Sequence, residues 1–323
     1  MNQSQHAAYQ GRGWKARRRS QVEEMSSLAS PWQMGQVNSE WSPLKKVLLY
    51  RPNDELKAIK RPNEVQHLRP VLVPRLRKQL SALATTYRSL GIAVEEIKTK
   101  GARHLSVPPN LMFVRDLFFT TREGVVLARM ASEIRAGEEA LVFNHLATSG
   151  TFLRGSISGR ATFEGADALW LDCKTVLVGV GNRTNAEGFR QLESLLATQG
   201  IKCLKHEMPG GAQHLLGLLQ IVDRHLALVR HELTSKKLIS LLRNRGFQVH
   251  SVPESREVCE GLGFNFVTVA PKKIIMAAHC PELKNLYQQL GLQVLAEIEI
   301  DQLVNAAGGI ACATGILDRQ VVR

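Results

Sequence analysis

The chain has 323 residues, 44% of them apolar and 22% charged, a balance that belongs to globular rather than disordered proteins. No apolar run approaches the roughly 18 residues that span a bilayer, and no signal-peptide core stands at the N-terminus. The net charge of +13 raises nucleic acid as a partner, yet the excess is spread without aromatic interleaving, so nucleic acid is not expected.

The basic stretch "GRGWKARRRS" (11–20) comes first, and no acid precedes Glu23. It lacks apolar periodicity and reads as a flexible tail over residues 1–38. A solvated arm, a contact for an acidic partner and a targeting segment all fit it. The strand "LKKVLLYRP" (44–52) follows, then the helix "LRKQLSALATTYRSLG" (76–91) and the strand "IAVEEI". "LMFVRDLFFTTREGVVLARM" (111–130) reads as a hairpin turning at Glu123/Gly124, with "GEEALVFNHLA" as its helix.

Three closer copies of the same unit succeed these. "ADALWLDCKTVLVGV" (166–180) turns at Asp172/Lys174 and leads to a helix ending at Gly200 and the strand "IKCLKHEM". "LLQIVDRHLALV" (218–229) turns at Asp223/Arg224, its helix ends at Gly246, and "FQVHSV" follows. "FNFVTVAPKKIIM" (264–276) turns at Pro271/Lys272, its helix ends at Gly291, and "LQVLAEI" follows. The three helix-stopping glycines are spaced 46 and 45 residues apart, which makes the period structural, because glycine is the usual left-handed residue after a helix. Five strand–turn–strand–helix–strand units of this length favour an α/β ring closed on itself. An ordinary α/β sheet is the alternative.

Polar residues that interrupt the apolar hairpins are the candidates for a site. "FVRDLFF" places Arg115 and Asp116 in an apolar run, where unpaired charge is costly. "FEGADALWL" sets Glu164 and Asp167 around a tight turn, and "GGAQHLLGLLQIV" puts His214 between a glycine turn and an apolar strand. His206, His225, His250 and His279 lack such a lead-in. Five cysteines with no CxxC fit reduced thiols in a cytosolic enzyme. Of these, Cys312 in "GGIACATG" lies among small residues that leave its sulfur reachable, while the others read as packing residues. A thiol, an imidazole and several carboxylates are the parts of nucleophilic catalysis.

"NLMFVRD", "FEGAD" before "VGVGNRTNAEG", "QHLL" after a glycine-rich loop and a terminal "GGIACATGIL", in that order, resemble the guanidine-modifying superfamily of arginine deiminases, dimethylargininases and amidinotransferases. The resemblance covers about residues 40–319. It implies a five-bladed α/β propeller of ββαβ repeats with pseudo-fivefold symmetry, one catalytic domain over residues 39–323. It also implies a role for each residue. Cys312 attacks the guanidinium carbon, His214 protonates the departing nitrogen and then activates water, and Glu164 pairs with His214 and the guanidinium. Asp116 holds the guanidinium nitrogens, and Asp167 is structural or substrate-facing. Arg115 and Arg183 meet a substrate carboxylate or order loops.

Arginine deiminases usually carry an aspartate two residues after this histidine, but here the run is His214-Leu215-Leu216. The chain also lacks the deiminases' helical insertion. Both differences favour the compact dimethylargininase-like branch. The expected activity is cysteine-dependent hydrolysis of arginine or an N-methylated arginine, with no cofactor and no metal, in the cytoplasm. An amidinotransferase and a catalytically silent propeller are the alternatives. A small guanidino compound is the expected partner, a membrane is not, and a homodimer is compatible with the reading.

Overall fold

The computed structural model describes residues 35–98 and 108–322, with positions 7, 10, 12, 14–19, 23 and 24. Most of the arm expected over residues 1–38 lies outside the described residues; within it, Arg17 pairs with Glu24.

In chain order the elements are β1 (Leu44–Leu49), α1 (Val73–Ser89) and β2 (Ala93–Glu96), then β3 (Phe118–Thr121), β4 (Gly124–Leu127), α2 (Glu138–Thr148) and β5 (Leu153–Ser156). Next come β6 (Ala168–Asp172), β7 (Thr175–Val180), α3 (Ala186–Ala197) and β8 (Lys202–Glu207). β9 (Leu219–Asp223), β10 (Leu226–Arg230), α4 (Lys236–Asn244), β11 (Gln248–Val252) and the short α5 (Arg256–Cys259) follow. The remainder is β12 (Val267–Ala270), β13 (Lys273–Ala277), α6 (Pro281–Gln289), β14 (Gln293–Ile298), α7 (Asp301–Asn305), α8 (Ile310–Ala313) and β15 (Gly315–Arg319).

Among the described residues these strands form five separate three-stranded sheets. In four of them a tight hairpin pairs the first two strands antiparallel, and a helical crossover brings the third in parallel. β7 therefore runs against β6 and alongside β8, from Thr175↔Lys202 to Val180↔Glu207. The remaining sheet is assembled from both ends of the described chain: β15 lies antiparallel to β1, with Val47 opposite Ile316, and β2 completes it.

The middle strand of each sheet is buried over most of its length. Val47, Val126, Leu177, Leu228 and Ile275 expose nothing. They join one continuous apolar cluster from Val37 to Leu317. The helices stop where the glycine period predicts. Gly200, Gly246 and Gly291 all take positive φ, and open space around Gly200 and Gly291 leaves backbone conformation, not crowding, as the reason for glycine there.

The strands start later than the apolar runs suggest. Residues 114–116, 165–167 and 215–217 form single 3-10 turns ahead of β3, β6 and β9. "GGIACATG" likewise contains a helical turn, not an open loop. Each turn lifts a polar residue out of the strand register at the same end of its unit. No described helix is long and apolar enough to cross a membrane.

Candidate active site

The turns pack on one another because glycine lets them. A Cβ on Gly165 would lie 2.1 Å from the Phe118 carbonyl oxygen and 2.6 Å from that of Arg115. "EGAD" therefore needs its glycine to press the Glu164 turn against the Asp116 turn. Asp167 ties the next turn down: its Oδ1 accepts from the Leu215 backbone N–H at 3.0 Å and its Oδ2 from the Thr184 hydroxyl at 2.7 Å. With both oxygens committed, Asp167 braces the turn that carries His214.

His214 and Glu164 form the central pair, Nε2 to Oε2 at 2.7 Å, with Glu164 wholly buried. The other Glu164 oxygen accepts from the Ala131 backbone N–H and lies 3.6 Å from Arg183. Asp116 Oδ2 accepts from Arg135 Nη1 at 2.6 Å. Asp116 Oδ1, equally buried, has no hydrogen-bond partner and stands 3.9 Å from His214 Nε2.

Cys312 sits on α8 and stays partly exposed. It borders two cavities, together with Gln213, His214, Ala307 and Gly308. The smaller, about 30 Å³, runs past Asp116, Arg135 and Arg183. The larger is a chamber of about 860 Å³, walled in part by Arg69, Leu262 and Ile300.

The structure thus brings Asp116, Glu164, His214, Arg183 and Cys312 together and sets Asp167 directly behind them. It does not bring Arg115. That side chain turns away into a separate cavity and pairs with Glu40 at 3.1 Å. The glycines before Cys312 serve close packing. The left-handed residue is Ala307, at φ +70°, while Gly308 and Gly309 are places of close approach. Cβ atoms there would meet the Phe113 ring at 2.2 Å and the Asn265 amide at 2.5 Å.

Three residues at the site escape a reading of the sequence. Arg135 and Glu138 form a buried pair at 2.8 Å in a stretch, "SEIRAGEE", with the composition of a solvated helix start. Asn265 touches Cys312. Its only signal is its place before β12, matching those of Asp116, Glu164, His214 and Cys312 before their own strands.

Residues 92–245 match the family model for arginine deiminase. Protein YkgA of Bacillus subtilis (strain 168), itself uncharacterized, is 28% identical over 284 residues, 85% of this chain and 92% of that one. The N(G),N(G)-dimethylarginine dimethylaminohydrolase of Pseudomonas aeruginosa is 26% identical over 209 residues, 63% of this chain and 75% of that one. Among solved structures, SxtG, an amidinotransferase of Microseira wollei, shares the fold at TM-score 0.69 and 16% identity, over 91% of this chain and 98% of that one. The likeness, in sequence and in fold, is to the guanidine-modifying superfamily.

Burial alone would lower the His214 pKa, but the Asp116 charge, the Glu164 hydrogen bond and Asp167 outweigh it and raise the group to about 9. Burial likewise pushes Glu164 up, and the His214 bond together with Arg135 and Arg183 reverses that and holds it well below the usual carboxylate range. Desolvation raises Asp167 to about 6 and Glu138 to about 7. Cys312 is driven up to about 11, first by desolvation and then by Asp116, with the Gly309 backbone and Asn265 opposing. At neutral pH the resting pair is accordingly a thiol beside an imidazolium.

Asp116, Glu164 and His214 also bring one potential metal-ligand atom each within 4.8 Å of one another. Arg135 already supplies positive charge there, on Asp116 and 3.7 Å from Glu164.

Proposed function

We propose that this protein is a cysteine-dependent hydrolase of a guanidino compound, arginine or an N-methylated arginine, releasing a citrulline-type product and ammonia or an amine. The observation that carries the reading is the orphaned Oδ1 of Asp116, a buried acceptor with no protein donor, beside the His214–Glu164 pair and Cys312. A buried carboxylate oxygen without a donor is costly, and a planar guanidinium presents N–H groups suited to it. The family-model match and the Pseudomonas relative support the same chemistry.

Such a substrate is cationic at any physiological pH. Its charge helps draw the Cys312 thiol to thiolate, the proton leaving to solvent, and keeps the central carbon electrophilic. Sulfur attacks that carbon to give a tetrahedral centre. The His214 imidazolium protonates the departing nitrogen, the C–N bond breaks, and a thiouronium remains on Cys312. Neutral His214 then takes a proton from water, the resulting hydroxide adds to the carbon, and the thiolate leaves to release the ureido product. Glu164 holds the imidazole in place and stabilises its charged form. Arg183 faces the same cavity and is placed to meet a substrate carboxylate; Arg115 and Asp167 keep the turns in position.

The five sheets are arranged, on this reading, as a closed five-bladed propeller over residues 39–323, a single domain working in the cytoplasm behind a basic tail. The chamber of about 860 Å³ beside Cys312 favours one second reading, an amidinotransferase, because it has room for an acceptor amine next to the thiouronium. Incubation with arginine, its mono- and dimethyl derivatives and agmatine, with and without glycine or a diamine, read by mass spectrometry, tests both. Ureido product without added amine is the expected result. Product only when an amine is present would convert the assignment to the transferase, and no product in either arm would remove both.

A further inference from the structure

In four of the five sheets the strand at the site end is preceded by a group already given a role: Asp116, Glu164, His214 and Cys312. The fifth has Asn265, two residues before β12. Its carboxamide can face only one way. Oδ1 accepts the backbone N–H groups of Ala311 at 2.8 Å and Cys312 at 3.3 Å, so a flip would set an NH2 against two donors. Nδ2 is thereby aimed at Cys312 Sγ, 3.2 Å away. Gly309 makes the room, since any Cβ there would collide with the amide.

We propose that Asn265 is a catalytic residue, donating through Nδ2 to the Cys312 thiolate as it attacks and again as it leaves; this rests on Cys312 being the nucleophile. A neutral thiol is a weak acceptor and a thiolate a strong one, so the bond strengthens as charge develops on sulfur. An interaction that is stronger at the charged stage than at rest lowers the barrier and does not merely tighten ground-state binding. The same direction appears in the resting thiol, where Asn265 offsets part of the rise caused by burial and Asp116. The bond to the Cys312 N–H also fixes the turn that presents the sulfur to the cavity.

Two variants separate the donor from the brace. Asn265→Asp keeps an oxygen for the Ala311 and Cys312 N–H groups but removes the donor to sulfur; Asn265→Ala removes both. The readout is the rate of Cys312 alkylation by iodoacetamide from pH 7 to 10, mapped by mass spectrometry, alongside kcat and KM. Asp116, Arg135, Arg183 and His214 also face Cys312 and are unchanged in either variant. In Asn265→Ala, alkylation at pH 8 is expected to fall about three- to tenfold, the effect of half to one pKa unit on thiolate population. kcat should fall in parallel with little change in KM. Asn265→Asp should fall further, while melting near the parent temperature because the backbone bonds persist. Alkylation profiles that match the parent in both variants would overturn the proposal. Full turnover by Cys312→Ser would instead remove the nucleophile reading, a result distinct from an unmoved alkylation profile.

Discussion

Adjacent residues of one 3-10 turn, Arg115 and Asp116, reach two buried charge clusters of opposite character. Arg115 meets Glu40, which also accepts from the Trp170 backbone N–H, and nearby Arg319 donates to the carbonyls of Ser42 and Thr268. The cavity left there is only about 10 Å³. Asp116 meets Arg135 with one oxygen, leaves the other unpaired, and faces a cavity bordered by Cys312 and His214. Both clusters hold charge away from water, but the first matches its carboxylate with the protein's own donors and the second leaves an acceptor open. A buried ion pair is weak evidence of function by itself. The difference lies in the open acceptor, since the atom left without a partner in the first cluster, Arg319 Nε, is a donor.

The comparison breaks most sharply at the sulfur. Cys312→Ser should lose turnover by at least about 10⁴-fold, as for a removed nucleophile, with an unfolding midpoint close to the parent's; comparable turnover would place the chemistry elsewhere. Asp116→Asn and Glu164→Gln should each cut kcat/KM by about 10²- to 10³-fold, the scale of a lost electrostatic stabiliser, in steady-state assays of ureido product. Arg115→Met should do the reverse. It strands Glu40 and costs about 3–5 kcal/mol of stability in denaturant titrations, while kcat per folded molecule stays near the parent value. An Arg115→Met enzyme that is stable but inactive would erase the contrast between the clusters.

The smallest effect is one of pH. With His214 at about 9 and Cys312 at about 11, the free pair carries one proton too many below pH 9. kcat/KM should therefore climb about tenfold per pH unit from neutrality and level off near pH 9, a value that belongs to the pair. A flat profile between pH 7 and 9 would mean the pair rests already ionised. The stability linkage has its own sign. Because the folded pKa of His214 lies above its unfolded value, its contribution is complete below about pH 6.5 and is lost as pH rises through 9.

Much of this was legible in the sequence, for identifiable reasons. The glycine period reports helix ends through a backbone conformation that few other residues adopt, and polar residues inside apolar runs report a cost that must be met. Asp116, Glu164 and His214 carry the second signal, and Cys312 stands out by its small neighbours. Direction is not encoded that way: Arg115 and Asp116 look alike in "FVRD", and only packing sends one to Glu40. Arg135 and Glu138 sit among exposed-type residues, so nothing in their neighbourhood marks them as buried. Asn265 is uncharged and interrupts little. The late strand starts were hidden because a 3-10 turn and a strand can share one apolar run.

The pairing of residues 44–49 with 315–319 carries a consequence for biosynthesis. Imidazole and carboxylates leave the ribosome well before the sulfur does, so a partly translated chain holds the site's acids without its thiol. Bringing β15 back to β1 is a contact of very long sequence separation, slow to form and costly in chain entropy until it does. Cys312 lies three residues ahead of that strand. On the proposed function, the complete set of acids, imidazole and thiol is assembled only once the two distant strands have met.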